Sequence, residues 1–147
     1  MAAQKPELTA DDYAYRLPDH WILEEKDSSS HFPMMYHAYV DRVASLVEQS
    51  GAKSVLEVGC GDGYNCGRLA ARGLGVVGID GSSNGIKYAT ILVPKGRFYR
   101  GDVRDEDFTT NFPDPFDAVI LVEVLEHIPP ADCVDALRNI VAPLKSG

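Results

Sequence analysis

Cysteine is scarce in this chain: Cys60, Cys66 and Cys133 form no CxxC pair and leave one thiol over. That excludes a disulfide framework and falls short of a structural zinc set. Reduced thiols in a cytoplasmic protein are the expectation. Long apolar runs are absent too. The longest, Ala118 to Val122, is far below the ~20 residues of a membrane-spanning helix. Met1 to Asp12 is polar and acidic where a signal peptide would be apolar. Positive charge is in deficit, with 14 Lys and Arg against 22 Asp and Glu and a net charge of −8. Such a surface repels phosphate backbones, so no nucleic-acid partner is expected. There is no internal repeat and no low-complexity tract. What remains is a 147-residue chain, 45% apolar, enough for one domain with one core.

Residues 1 to about 12 read as a loose tail. Residues 13 to 35 mix aromatics with turn formers and read as an irregular segment packed on a domain. The division is therefore 1–35 for tail and lid and 36–147 for the domain. From Met35, Tyr39, Val40, Val43, Leu46 and Val47 recur at helical spacing, and Gly51 is a stop. Beyond Lys53, strands and helices alternate. Strands are expected at 54–58, 76–80, 97–100 and 117–122, the last apolar on both faces and therefore central. Helices are expected over 65–72 and from Ser82 or Ser83 to Val93, ahead of Pro94. A last helix opens at Pro129 and Pro130. Its Val134, Leu137, Val141 and Leu144 share a face, and Pro143 breaks or kinks its end. Alternation of this kind means an α/β fold, a Rossmann-like three-layer sandwich on a mainly parallel sheet.

The richest stretch is Val55-Leu56-Glu57-Val58-Gly59-Cys60-Gly61-Asp62-Gly63. An apolar strand runs into glycines spaced GxGxG, with Glu57 two residues ahead. Bare backbone lets a ligand approach closely. The acid suggests that the ligand carries positive charge or donates hydrogen bonds. In open α/β sheets, ligands bind beyond the C-terminal ends of the strands. Four features sit at such ends: the loop 59–63, Asp80, Gly101-Asp102-Val103, and Glu123. Asp80 stands about 20 residues after the first glycine, where an acid meets ribose hydroxyls. A dinucleotide site would need GxGxxG, but Tyr64 occupies the third glycine position and Asp62 would repel a pyrophosphate. A sulfonium nucleoside has no phosphate to repel. A lone GxG would be only a turn, and Asp102 alone only a cap, but four features in order point to a site.

At these residues the chain resembles the class I S-adenosylmethionine-dependent methyltransferases over about residues 52–147. The match includes Val77-Gly78-Ile79-Asp80, Gly101-Asp102-Val103, and the block from Phe116 to Ile128. That last block is most similar to the subgroup of ubiquinone-biosynthesis and other small-molecule O-methyltransferases. The resemblance implies S-adenosyl-L-methionine as cofactor and a small-molecule acceptor methylated on oxygen or nitrogen. It implies that Gly59 and Gly61 underlie the methionine part and that Asp80 holds the ribose. Asp102 and Val103 meet the adenine, and Val122 and Glu123 line the sulfonium region. Glu57, Cys60 and Gly81 complete the cofactor set.

The family sheet continues with three more strands where this sequence stops, so the fold is expected to be truncated after the fourth strand and following helix. Order 3-2-1-4 would leave strand four at an open edge, a template for pairing. The N-terminal segment or a second copy of the chain is expected to cover it. A non-catalytic half-domain completed by a partner chain is the alternative. Glu126 and His127 are the candidates for acid–base catalysis. His127 is either a base, with an ordinary pKa near 6.5, or a packing residue at the start of the last helix. Glu123, Glu126 and His127 also resemble three metal ligands of RNA 3′-terminal methyltransferases. The second histidine of that set is missing after His127 and the charge opposes RNA, so no metal is assigned. Tyr13, Tyr15, Arg16, Trp21, His31 and Tyr36 form either a lid or plain packing. His20 and His37 are expected at the surface.

Overall fold

The computed structural model describes residues 15–26, 31–105, 107–112 and 114–146. In chain order they form α1 (Asp19–Lys26), α2 (His31–Gln49), β1 (Ser54–Val58), α3 (Tyr64–Ala71), β2 (Gly75–Asp80), α4 (Ser83–Leu92), β3 (Arg97–Arg100), β4 (Ala118–Leu121) and α5 (Cys133–Val141). Short 3-10 turns lie at Phe108–Asn111 and Leu125–His127. The four strands make one parallel sheet in the order β3-β2-β1-β4.

Side-chain alternation sorts the core into two layers. Val55 and Val76 meet Ala44 and Val47 of α2 and Cys66 and Leu69 of α3 on one face. Leu56, Val58, Val77 and Ile79 meet Phe108, Phe116 and Ile140 of α5 on the other. Helices therefore cover both faces, and β1 is buried on both. The chain moves outward from β1 through β2 to β3, then returns to the far side of β1 as β4. The strand order reverses between β1 and β4, and a crevice opens at their C-terminal ends.

Ser82 caps α4: its hydroxyl accepts from the Gly85 N–H at 3.1 Å. That end of α4 docks under the glycine loop, because a Cβ on Gly85 would lie 2.9 Å from the Gly61 carbonyl oxygen. Ser82 is fully buried, so water cannot replace the cap. Ser82→Ala is expected to cost about 1 kcal/mol, read as a lower urea midpoint at unchanged slope.

Three expectations need correction. The segment 13–35 is not irregular where it is described: α1 occupies 19–26, and α2 starts at His31 rather than Met35. The Pro18 carbonyl accepts from the N–H groups of Trp21 and Ile22, both at 3.1 Å, and so opens α1. Pro33 falls in the first turn of α2, where no backbone N–H partner is lost. β4 is not central. It pairs with β1 alone among the strands, and its four residues are half-buried. At its foot the chain returns, where Phe116 bridges Leu144. The shared face of Val134, Leu137, Val141 and Leu144 lies outward at 59%, 41%, 53% and 37% exposure, while Ala136 and Ile140 are the buried residues of α5. The α5 helix ends at Val141, ahead of Pro143 as expected. No helix among the described residues is long and apolar enough to cross a membrane.

Candidate functional site

The turn after β1 can form because Gly59 and Gly61 adopt φ of 73° and 51°, a region that strains other residues. The N–H groups of Gly59 and Cys60 both donate to the Ile79 carbonyl, at 2.8 and 3.1 Å, which pins the loop to β2. Asp80, at the end of β2, tightens it further. One carboxylate oxygen accepts from the Gly61 N–H at 2.8 Å and the other from the Ser82 N–H at 2.7 Å. At the end of β4, Glu123 has φ of 54°, unusual for a residue with a long side chain.

A cavity of about 170 Å³ lies between these two strand ends. Its walls bring together Glu57, Gly59, Cys60, Val122, Glu123 and His127, six of the residues assigned from the sequence. Tyr15, His20, Tyr36, Tyr39 and Asn65 complete it. The volume is below the ~300 Å³ at which typical ligand pockets begin, room for a part of a nucleoside cofactor rather than the whole.

The remaining assigned residues lie outside the cavity. A Cβ on Gly61 would collide with the Tyr15 hydroxyl. Gly81 is exposed, and its carbonyl accepts from Arg100 Nε at 3.0 Å. Asp102 is gripped by the Arg104 guanidinium, which holds its carboxyl below the usual range. Val103 packs against the core below the sheet, and its carbonyl accepts from Asn139 Nδ2 at 2.8 Å. Glu126 is exposed beside His127. Among the described residues, no three of His, Cys, Asp or Glu converge as metal ligands.

The site's electrostatics follow from burial. Glu57 is 2% exposed, and burial raises its pKa to about 7 against hydrogen bonds from Cys66 and Asn65. The Cys66 Sγ–H donates to its Oε2 at 3.0 Å. Burial also pushes the Cys60 and Cys66 thiols well up, so neither is a thiolate nucleophile at neutral pH. Burial raises Tyr15 and Tyr36, and Tyr39 reaches about 12, with the charge of Glu123 adding to burial. All three phenols stay protonated. The Tyr39 hydroxyl is buried without a hydrogen-bond partner among the described residues.

Several of these residues escaped the sequence reading. His20 is not a surface residue: its ring lines the cavity, and Nδ1 lies 3.1 Å from Oδ1 of Asp62, which is 1% exposed. His37 is half-buried, with Nδ1 2.5 Å from the Tyr64 hydroxyl. Of the N-terminal aromatic group, Tyr15 and Tyr36 line the cavity, and Trp21 Nε1 donates to the Asp62 carbonyl at 3.1 Å. Tyr13 and the side chain of His31 fall outside the described residues. Asp62, interior to the glycine loop, was the one sequence signal for these contacts.

Comparison with known proteins gives a consistent answer. The chain is 38% identical over 109 residues to the ubiquinone biosynthesis O-methyltransferase of Chromobacterium violaceum, a match covering 71% of this chain and 45% of that protein. It is 32% identical over 142 residues to the enzyme of the same name from Nitrosomonas europaea, covering 90% and 56%. The chain thus spans about half the length of these relatives. The crystal structure of magnesium protoporphyrin IX methyltransferase from Synechocystis PCC 6803 with bound SAM shares the fold at a TM-score of 0.70 and 20% identity, covering 97% of this chain and 75% of that one. The family described as a methyltransferase domain matches residues 55–147, well over half of the sequence, and this chain belongs to it.

Proposed function

We propose that the chain binds S-adenosyl-L-methionine at the β1–β4 crevice and moves its methyl group to an oxygen of a small-molecule acceptor, nitrogen being the second choice. The cavity carries this reading. Tyr15, Tyr36 and Tyr39 stand with Glu57 and Glu123 around one small space, a setting that favours a cation. The unpartnered Tyr39 hydroxyl fits the same ligand, since a buried donor left unpaired costs ~1–3 kcal/mol. The two relatives' names point to oxygen as the attacked atom.

When bound, the cofactor supplies a methyl group already activated by its sulfonium. The protein's own work is alignment and exclusion of water. Gly59 and Cys60, with Glu57, would hold the methionine part, and Val122 and Glu123 would line the sulfonium region. Asp80, fixed by the Gly61 and Ser82 N–H groups, would hold the ribose hydroxyls, and Gly81, Asp102 and Val103 would hold the adenine. Tyr15 and Tyr36 close the space from the N-terminal side as a lid. His127, with Glu126 at the rim, faces the acceptor.

Calorimetry with S-adenosyl-L-methionine, followed by turnover of labelled cofactor with small hydroxyl and amine acceptors, tests the reading. Asp80→Ala loses the ribose acceptor and the anchor of Gly61, so binding is expected to weaken by about 1–3 kcal/mol. Absence of binding by the unmodified chain, or unchanged affinity in a folded Asp80→Ala variant, would sink it.

A further inference from the structure

We propose that His20, held by Asp62, is the general base that takes the proton from a neutral hydroxyl of the acceptor. This rests on the methyl-transfer reading above and adds to it a catalytic residue and a class of acceptor.

The first argument is orientation. Asp62 reaches His20 twice: Oδ1 lies 3.1 Å from Nδ1, and Oδ2 accepts the His20 backbone N–H at 3.2 Å. Asp62 is itself fixed, since Oδ1 also accepts from the Tyr64 N–H at 3.3 Å. The imidazole stacks on Tyr36, with ring centroids 4.7 Å apart and planes 18° from parallel. The ring is thereby held along its edge and over its face. A carboxylate on Nδ1 keeps the proton there and leaves Nε2 with a lone pair. Nε2 has no partner among the described residues, and the ring lines the cavity. His127 shares the cavity, but no described group bonds its ring to fix a tautomer. The carboxylate–imidazole pair therefore belongs to His20.

The second argument is charge. Glu57, Asp62 and Glu123 make the surroundings acidic, which weakens the binding of a carboxylate or a preformed anion and so raises its KM, without touching the transfer step that kcat reads. A neutral hydroxyl can enter, yet it is a poor nucleophile until its proton leaves. In the step, His20 Nε2 takes the hydroxyl proton as the oxygen lone pair forms the new O–CH₃ bond. The S–CH₃ bond breaks, and its electron pair stays on sulfur as a neutral thioether. The imidazolium is stabilised by Asp62 and later gives its proton to solvent. Asp62 acts only through His20 and is a positioning residue.

The test is methyl transfer by the full chain to a series of substituted phenols of graded acidity, from phenol to 4-nitrophenol, at mildly alkaline pH. His20→Ala is expected to lower kcat on phenol by about 100-fold or more. On 4-nitrophenol, largely ionised before it binds, the loss is expected to be at most a few-fold. S-adenosyl-L-methionine affinity is expected to stay within about threefold on the same calorimetric scale. Asp62→Asn should follow the same pattern, and if it does not fold, His20→Ala decides alone. An equal loss on both phenols would mean a structural role and overturn the proposal. So would a loss of cofactor affinity, which would make His20 a cofactor ligand. No turnover of any phenol by the unmodified chain also overturns it, and if the cofactor still binds, the underlying site assignment stands. Failure of the unmodified chain to bind the cofactor brings down both.

Discussion

Gly59→Val is expected to abolish cofactor binding and to destabilise the fold by several kcal/mol. Two costs combine. A β-branched residue at φ of 73° is strained by about 1–3 kcal/mol. The new Cβ would also strike a methyl group of Val124, and overpacking of that kind costs about 1–3 kcal/mol more. The loop cannot swing aside, because the Gly59 and Cys60 N–H groups are both tied to Ile79. Val124 cannot easily yield either, since it follows Glu123, already in a left-handed conformation. Against a typical total stability of ~5–15 kcal/mol, much of the protein should still fold, with the strain held in the loop and the new side chain blocking the main chain. Thermal unfolding read beside calorimetry separates the two effects. A cooperatively folded Gly59→Val protein with unmodified affinity would mean that nothing approaches the main chain there.

The features legible from sequence were those written locally. β1 and β2 were legible from short apolar runs with glycine at their ends, β3 from Phe98 and Tyr99 between Gly96 and Gly101, and α4 from Ser82 in front and Pro94 behind. The crevice was legible because connection chirality leaves few topologies for alternating strands and helices. Elsewhere a local pattern pointed the wrong way. The α1 sequence, DHWILEEK, carries no one-sided apolar stripe, and its neighbouring prolines look like turn residues although one opens a helix and the other sits in a first turn. The apolar spacing of Val134, Leu137 and Val141 marks a real face of α5, but Ala136 and Ile140 are the residues it buries. At the site, Glu57 and Glu123 could be read from the ends of their strands. The His20–Asp62 pair could not, because 42 residues separate its members and only the packing of α1 against the loop joins them. Asp80 illustrates a third case. Its position predicted a ligand contact, and the structure shows its carboxylate anchoring Gly61 and Ser82.

Stability is expected to fall by about 2–3 kcal/mol between pH 5 and pH 8 through Glu57 alone. Its folded pKa is about 7 and its ordinary value 4.5, a shift caused chiefly by burial. Below 4.5 the carboxyl is neutral in both states and burial carries no charge penalty. As pH rises toward 7 the unfolded chain ionises first, so unfolding is favoured. Above 7 the folded protein holds a buried anion, and the full difference is felt. Glu57→Gln keeps the shape and cannot titrate, so its urea unfolding free energy should lose this part of the slope, while contributions from His20 and the other groups persist in both proteins. Identical pH profiles for the two would refute the raised pKa. The same group links protons to ligand binding. Glu57 lines the cavity, and a cation held there would favour its ionised form. Binding of S-adenosyl-L-methionine near pH 6.5 should therefore release a fraction of a proton, seen as a dependence of the calorimetric heat on buffer ionisation enthalpy. In Glu57→Gln that release should vanish.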